Sequence, residues 1–241
     1  MEERLRGGNL TGAVRIGDSV RRSAGPWTET VHELLRHVRA RGVLSVPEPR
    51  GRDEQGREVV GFVEGEVPAY PMPEYVWGAA LLTDAARLLR AFHDASADFS
   101  RAGRTWRLPA HEPDEVICHN DFAPYNLVFR GGRLAGAIDF DVASPGPRVW
   151  DLAYLAYRLV PLAARSNPDA IATGEAARAL RLRALCAAYG EPAPASVLDT
   201  VPLRLDELAA LSEDREAVRA HAALYRADAA YVRERREALL A

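Results

Sequence analysis

The stretch Cys118-His-Asn-Asp-Phe-Ala-Pro-Tyr-Asn126 gathers an imidazole, a carboxylate and an amide into one loop, and Ala137-Ile-Asp-Phe-Asp141 adds two further carboxylates. These are the residue types that phosphoryl transfer requires. That chemistry asks a protein for positioning and for neutralisation of charge on the transferring group, and for little covalent work. Asp121 is suited to orient an acceptor hydroxyl and take its proton. The Asn126 amide oxygen and the Asp139 carboxylate are suited to hold Mg2+, a hard cation that prefers oxygen ligands and keeps several waters. His119 is a further catalytic candidate within the loop. Asp141 is read either as a carboxylate supporting the site or substrate, or as a structural one.

Two ligands of one metal must be brought together by the elements that carry them. Gly131-Gly132 falls between Leu127-Val-Phe129 and Leu134-Ala-Gly-Ala-Ile138, the pattern of two strands joined by a two-residue turn. Such a hairpin carries Asn126 and Asp139 to the same end. Upstream, Ala13–Ile16 and Ser19–Arg22 flank Gly17-Asp18 as a second hairpin. Val31, Leu34, Leu35 and Val38 recur at helical spacing within Thr28–Arg41, before Gly42. Pro47–Gly51 and Asp53–Gly56 interrupt the chain, and Glu58–Val63 reads as another strand. The prolines at 68, 71 and 73 form a stiff connector into a long apolar helix through Leu81–Phe92. From Trp150 onward the chain reads as helix, punctuated by Pro161, Pro168, Gly190-Glu-Pro192 and Pro194. The expected fold class is α+β: a small β-rich lobe over residues 1–64 and a larger helical lobe over 65–241 that carries the catalytic hairpin. A ligand is expected in the cleft between two such lobes.

Composition narrows the partners. The 241 residues carry a formal net charge of −3, which gives no electrostatic reason to expect nucleic acid. No stretch approaches the roughly 20 apolar residues that span a bilayer, and the opening Met-Glu-Glu-Arg has no secretory h-region. Cys118 and Cys186 stand alone without CxxC spacing. A reduced, cytoplasmic protein acting as a monomer or homodimer is expected. All 31 basic residues are Arg, so any role usual for Lys falls to Arg or stays empty.

The loop resembles the H-x-D-x4-N catalytic loop of protein-kinase-like enzymes, in the H-N-D form common in the aminoglycoside phosphotransferase and choline kinase-like family. Ile138-Asp139-Phe140 is similar to that family's metal motif, and Ala143–Ala153 is similar to its A-x-x-G-x-x-x-x-D-L-A extension. The resemblance is sharp over residues 116–157 and loose elsewhere. It implies a bilobal kinase-like fold, ATP or GTP as donor, Mg2+, and a small hydroxylated acceptor. It also implies that His119 braces the loop and the metal Asp, and that Asp151 accepts hydrogen bonds from the catalytic-loop backbone. Phe62-Val-Glu-Gly65 stands where the purine-binding hinge is expected, so Phe62 and Glu64 join the nucleotide-binding set.

The chain also departs from the family. Kinases place a Lys on the third strand, paired with a helix Glu; here Arg21 or Arg22 must serve, with Glu29 or Glu33 as partner. Strand register decides which Arg faces the site. Gly7-Gly-Asn-Leu-Thr-Gly12 is a degenerate form of the phosphate-covering loop. A catalytically weak nucleotide-binding pseudokinase with a regulatory role is the alternative function. A metal-dependent phosphoesterase would need a histidine–carboxylate cluster that the histidine spacing does not offer. The acceptor stays open among aminoglycosides, other antibiotics, sugars and amino alcohols such as choline or homoserine. An aminoglycoside site, with antibiotic resistance as its role, would need clustered carboxylates. Asp199, Asp206, Glu207, Glu213, Asp214 and Glu216 are interleaved with arginines instead, as on a solvated helix face.

Overall fold

A computed structural model describes residues 2–5, 12–213 and 216–241. Contacts divide the chain into two compact units, one of residues 1–69 with 90–147 and one of residues 70–89 with 148–241. This grouping differs from a division at 64/65, because residues 90–147 cluster with the N-terminal strands.

In the first unit, β1 (Glu2–Arg4), β2 (Val14–Ile16), β3 (Ser19–Arg22), β4 (Pro49–Arg52) and β5 (Glu58–Gly61) make one antiparallel sheet in the order β1-β2-β3-β5-β4. The expected β2–β3 hairpin is present. Two strands were not expected. β4 contains Pro49 and Gly51, residues that weaken a strand; it survives at the sheet edge, where proline is tolerated, with its register shifting between Pro49 and Arg52. β1 is the opposite edge and too polar to show an apolar alternation. Helix α1 (Thr28–Ala40) forms as its spacing demands and buries Val31, Leu34, Leu35 and Val38.

The rest of this unit builds the segment that carries the Cys118–Asn126 loop. β7 (Leu127–Arg130) and β8 (Arg133–Ala137) pair through Gly131-Gly132, whose φ values of 58° and 73° are the left-handed pair that a tight hairpin turn requires. β6 (Val116–Cys118) pairs with β9 (Ser144–Gly146), a short strand inside the Ala143–Ala153 motif. Glu66 and Phe129 exchange backbone hydrogen bonds of 2.7 and 2.8 Å, tying the segment after β5 to the hairpin. Gly65 makes this approach feasible: a Cβ there would lie 2.3 Å from the Phe129 carbonyl oxygen. Helix α2 (Ala79–Ser96) links the units in sequence.

The second unit is helical: α3 (Arg148–Leu159), α4 (Glu175–Tyr189), α5 (Pro194–Glu213) and α6 (Arg219–Leu240), with α5 packing on α3 and α6, and α4 on α6. Its polar anchor is Asp228, fully buried, which accepts hydrogen bonds from the Tyr157 hydroxyl (2.6 Å), the Ala164 amide (2.7 Å) and the Asn167 amide (2.7 Å). Burial and the neighbouring Asp228 push the Tyr157 hydroxyl well above its ordinary range. Among the described residues no helix is long and apolar enough to cross a membrane.

Candidate active site

The two β6–β9 and β7–β8 pairs hold the loop between Cys118 and Leu127 from both ends. Within it Asp121 is the focus. Its Oδ1 accepts the Tyr125 hydroxyl at 2.7 Å, and its Oδ2 and backbone oxygen accept the Asn126 amide nitrogen at 2.8 and 2.9 Å. Asn126 thus spends its nitrogen on Asp121, which leaves its amide oxygen as the atom for a cation. The hairpin closes as its turn requires: the Ile138 amide donates to the Asn126 carbonyl at 2.9 Å, so Asp139 lies one residue beyond Asn126's partner. Asp139 and Asn120 both have left-handed backbones, φ 64° and 63°. Non-glycine residues adopt this conformation at a cost, and it clusters at functional sites. At Asn120 the side chain secures it by donating to the Val142 carbonyl (3.0 Å) and the Ser144 hydroxyl (2.8 Å). At Asp139 the turn leaves the carboxylate 40% exposed while Phe140 is buried.

His119 is fully buried and lies 4.5 Å, ring to ring, from Phe140. Its Nδ1 accepts the Asp121 amide at 3.2 Å, so the ring proton is assigned to Nε2, which donates to the Ile138 carbonyl at 3.0 Å. The imidazole joins the Asp121 loop to the Asp139 strand, the geometry of a brace.

Register resolves the arginine question. Arg22 stands opposite Glu58 in the β3–β5 pairing. Its Nε donates to Glu58, its Nη1 to Asp139 at 2.8 Å, and its Nη2 to Asp141 at 2.5 Å. Arg21, on the other face of the strand, donates to the Ile16 carbonyl and to Ser19. The expected helix partners are corrected too: Glu33 pairs with Arg104 and Glu29 with Arg36, so neither meets Arg22. Glu33 lies one residue from His32, about 100° around the helix, and it is His32 that faces Glu58, at 2.9 Å. Phe62 and Glu64 form a separate group: the Arg15 guanidinium lies 3.8 Å above the Phe62 ring and 3.7 Å from the Glu64 carboxylate. The Gly7–Thr11 part of the glycine-rich loop lies outside the described residues, as do Asp214 and Arg215.

Three residues of the cluster carried no sequence signal: Glu58, His32 and Arg107. Arg107 lies 3.6 Å from Asp141 and stacks over Trp27 at 4.5 Å. Burial, helped by Asp139 and Glu58 and opposed by Arg22 and Arg107, pushes the Asp141 carboxyl up to about 6. Burial alone would lower the Arg22 pKa, yet Glu58, Asp141 and Asp139 hold it well above the ordinary arginine range. Arg22 is therefore a permanent charge at the centre of three carboxylates.

A loop carboxylate, a hairpin amide and a hairpin carboxylate facing a strand cation resemble the arrangement of kinase-like phosphotransferases, with an arginine where those enzymes carry a lysine. Residues 101–198 match the phosphotransferase enzyme family. The matched segment includes every residue of the Cys118–Asn126 loop and of the β7–β8 hairpin. The trifolitoxin immunity protein of Rhizobium leguminosarum bv. trifolii is 39% identical over 148 residues, which is 58% of this chain. The match spans 55% of that relative's own length. Among solved structures, the choline/ethanolamine kinase family protein from Mesorhizobium loti superimposes with a TM-score of 0.62 at 18% identity, covering 100% of this chain and 92% of that one. The GDP complex of aminoglycoside 2'-phosphotransferase-IIIa gives 0.60 at 16% identity over 95% and 92% of the two chains. The fold is the protein-kinase-like fold of the aminoglycoside phosphotransferases, and the resemblance read from the motifs holds.

Proposed function

We propose that this protein is a Mg2+-dependent phosphotransferase that moves the γ-phosphoryl group of ATP or GTP to a hydroxyl of a small molecule. The observation that carries the reading is the convergence of Asp121, Asn126, Asp139 and Arg22 through the β7–β8 hairpin and the β3–β5 register. The donor set fits Mg2+: one amide oxygen and one partly exposed carboxylate, both hard ligands. Asn126 and Asp139 would hold the ion, which when bound neutralises charge on the phosphates.

The protein's own residues do the rest. Asp121, fixed through both oxygens by Tyr125 and Asn126, orients the acceptor hydroxyl and takes its proton as the oxygen bonds to the γ-phosphorus and the bond from that phosphorus to the bridging oxygen breaks, releasing the nucleoside diphosphate. Arg22 offers two terminal nitrogens to phosphate oxygens. His119 keeps the two ligand-bearing segments in register. Phe62 and Glu64 belong to the segment proposed to receive the base, and residues 1–64 are proposed as the nucleotide-binding lobe.

The helical unit bears on the acceptor. Asp199 is paired bidentately with Arg236, Asp206 with Arg233, and Glu213 with Arg226 at 2.5 Å. Carboxylates matched one to one with arginines do not make a site for a polycation, so nothing in this group favours an aminoglycoside over other alcohols. The name of the immunity relative supports an antibiotic as the acceptor. The test is transfer of labelled γ-phosphate from ATP and GTP across a panel of hydroxylated antibiotics, sugars and amino alcohols. A phosphorylated product that needs Mg2+ and disappears in Asp121→Asn supports the reading. A product formed equally without Mg2+ or by Asp121→Asn contradicts it.

A further inference from the structure

An arginine in a lysine's place brings a difficulty that the cluster around Arg22 solves. The ammonium of Lys is a point charge at the end of its stem, whereas Arg carries an additional N–H, Nε, further back along the side chain. At Arg22 that stem is buried, and a buried donor without an acceptor is costly. Glu58 supplies the acceptor from the opposite position on β5, with its side chain 1% exposed. Its second oxygen in turn meets Nε2 of His32, on α1 and fully buried. Nδ1 of His32 finds no hydrogen-bond partner among the described residues. The imidazole therefore spends its one polar contact on Glu58.

The consequence is directional. A guanidinium is a rigid plane, so fixing Nε fixes where the other two nitrogens point. They point at Asp139, the carboxylate of the proposed metal site, and at Asp141, two residues further along the chain. We propose that Glu58 and His32 are positioning residues for nucleotide binding: Glu58 locks Nε of Arg22 so that the guanidinium is held beside Asp139, where the nucleotide phosphates would arrive, and His32 fixes Glu58 from α1. This rests on the phosphotransferase reading of the site. In this chain the carboxylate that serves the strand cation comes from strand β5, and the helix contributes an imidazole.

The test is calorimetric titration of Mg-ATP and Mg-GTP into the full chain, as wild type, Glu58→Gln, Arg22→Met and the double variant, each checked for folding by circular dichroism. Glu58→Gln keeps the shape and removes the charge, and it is expected to weaken nucleotide binding about tenfold or more. In the Arg22→Met background the same substitution is expected to cost nothing further, because Glu58 acts only through Arg22. If Glu58→Gln does not fold, His32→Gln is read in its place, with a smaller loss of about threefold expected. Binding by the folded variant within twofold of wild type would overturn the proposal, as would an equal loss with and without Arg22. Failure of the wild type to bind either nucleotide would instead overturn the underlying reading of the site.

Discussion

Arginine–carboxylate pairs occur in both units of this protein, and burial separates their roles. In the first unit Arg22 is 12% exposed and serves three carboxylates at once. In the second, Arg236 and Arg233 on α6 each serve a solvent-exposed Asp of α5. Exposed pairs gain little, because water and salt screen them and the side chains lose freedom. A buried guanidinium among more carboxylates than it can neutralise leaves an excess of negative charge, which a divalent cation can balance. The same residue types thus make a buried charged cluster in one place and a helix-to-helix clasp in the other.

The largest effect should come from Asp121→Asn, which removes the proton acceptor and little else; kcat is expected to fall about 10²–10⁴-fold with nucleotide affinity retained. Steady-state kinetics alongside calorimetry would check this. Next is Arg22→Lys set against Arg236→Lys. A lysine cannot reach Glu58, Asp139 and Asp141 together, so nucleotide binding should weaken about tenfold for the first and remain unchanged for the second. Equal effects would erase the distinction between the two regions.

Asp228→Ala leaves three donors unmatched in the helical unit and should destabilise folding by about 3 kcal/mol without altering nucleotide affinity, read by urea titration. A smaller effect concerns acid. Burial raises the Glu58 pKa, but His32 and Arg22 together outweigh it and hold it below the ordinary glutamate range. The charged form is therefore favoured by folding. Its stabilisation is present at neutral pH and lost as pH falls through that lowered value. The stability gap between wild type and Glu58→Gln should accordingly narrow in acid, followed by thermal melts. Smallest of all, Asp199→Asn should change neither activity nor melting temperature measurably.

What could be read from the chain in advance was whatever local chemistry decides. The Gly131-Gly132 turn, the α1 periodicity and the loop from His119 to Asn126 each lie within a few residues, and turn and motif rules apply to them directly. The choice between Arg21 and Arg22 was posed by the sequence and left to register, which only the pairing with β5 settles. Glu58 and His32 could not be found that way: they meet across 26 residues, and each looks like an ordinary strand or helix residue alone. Edge strand β4 was hidden by Pro49 and Gly51, because a propensity rule written for strand interiors does not hold at an edge. Asp228 gave no sign either, since one Asp in an Arg- and Ala-rich helix carries no pattern.

The account stands most directly on Asp139 as a metal ligand. Nucleotide binding should be titrated with and without Mg2+ in the wild type and in Asp139→Asn. Tighter binding with Mg2+ in the wild type, and loss of that Mg2+ dependence in the variant, is the predicted result. A wild type whose nucleotide affinity ignores Mg2+, or a variant that keeps the full Mg2+ effect, would contradict it.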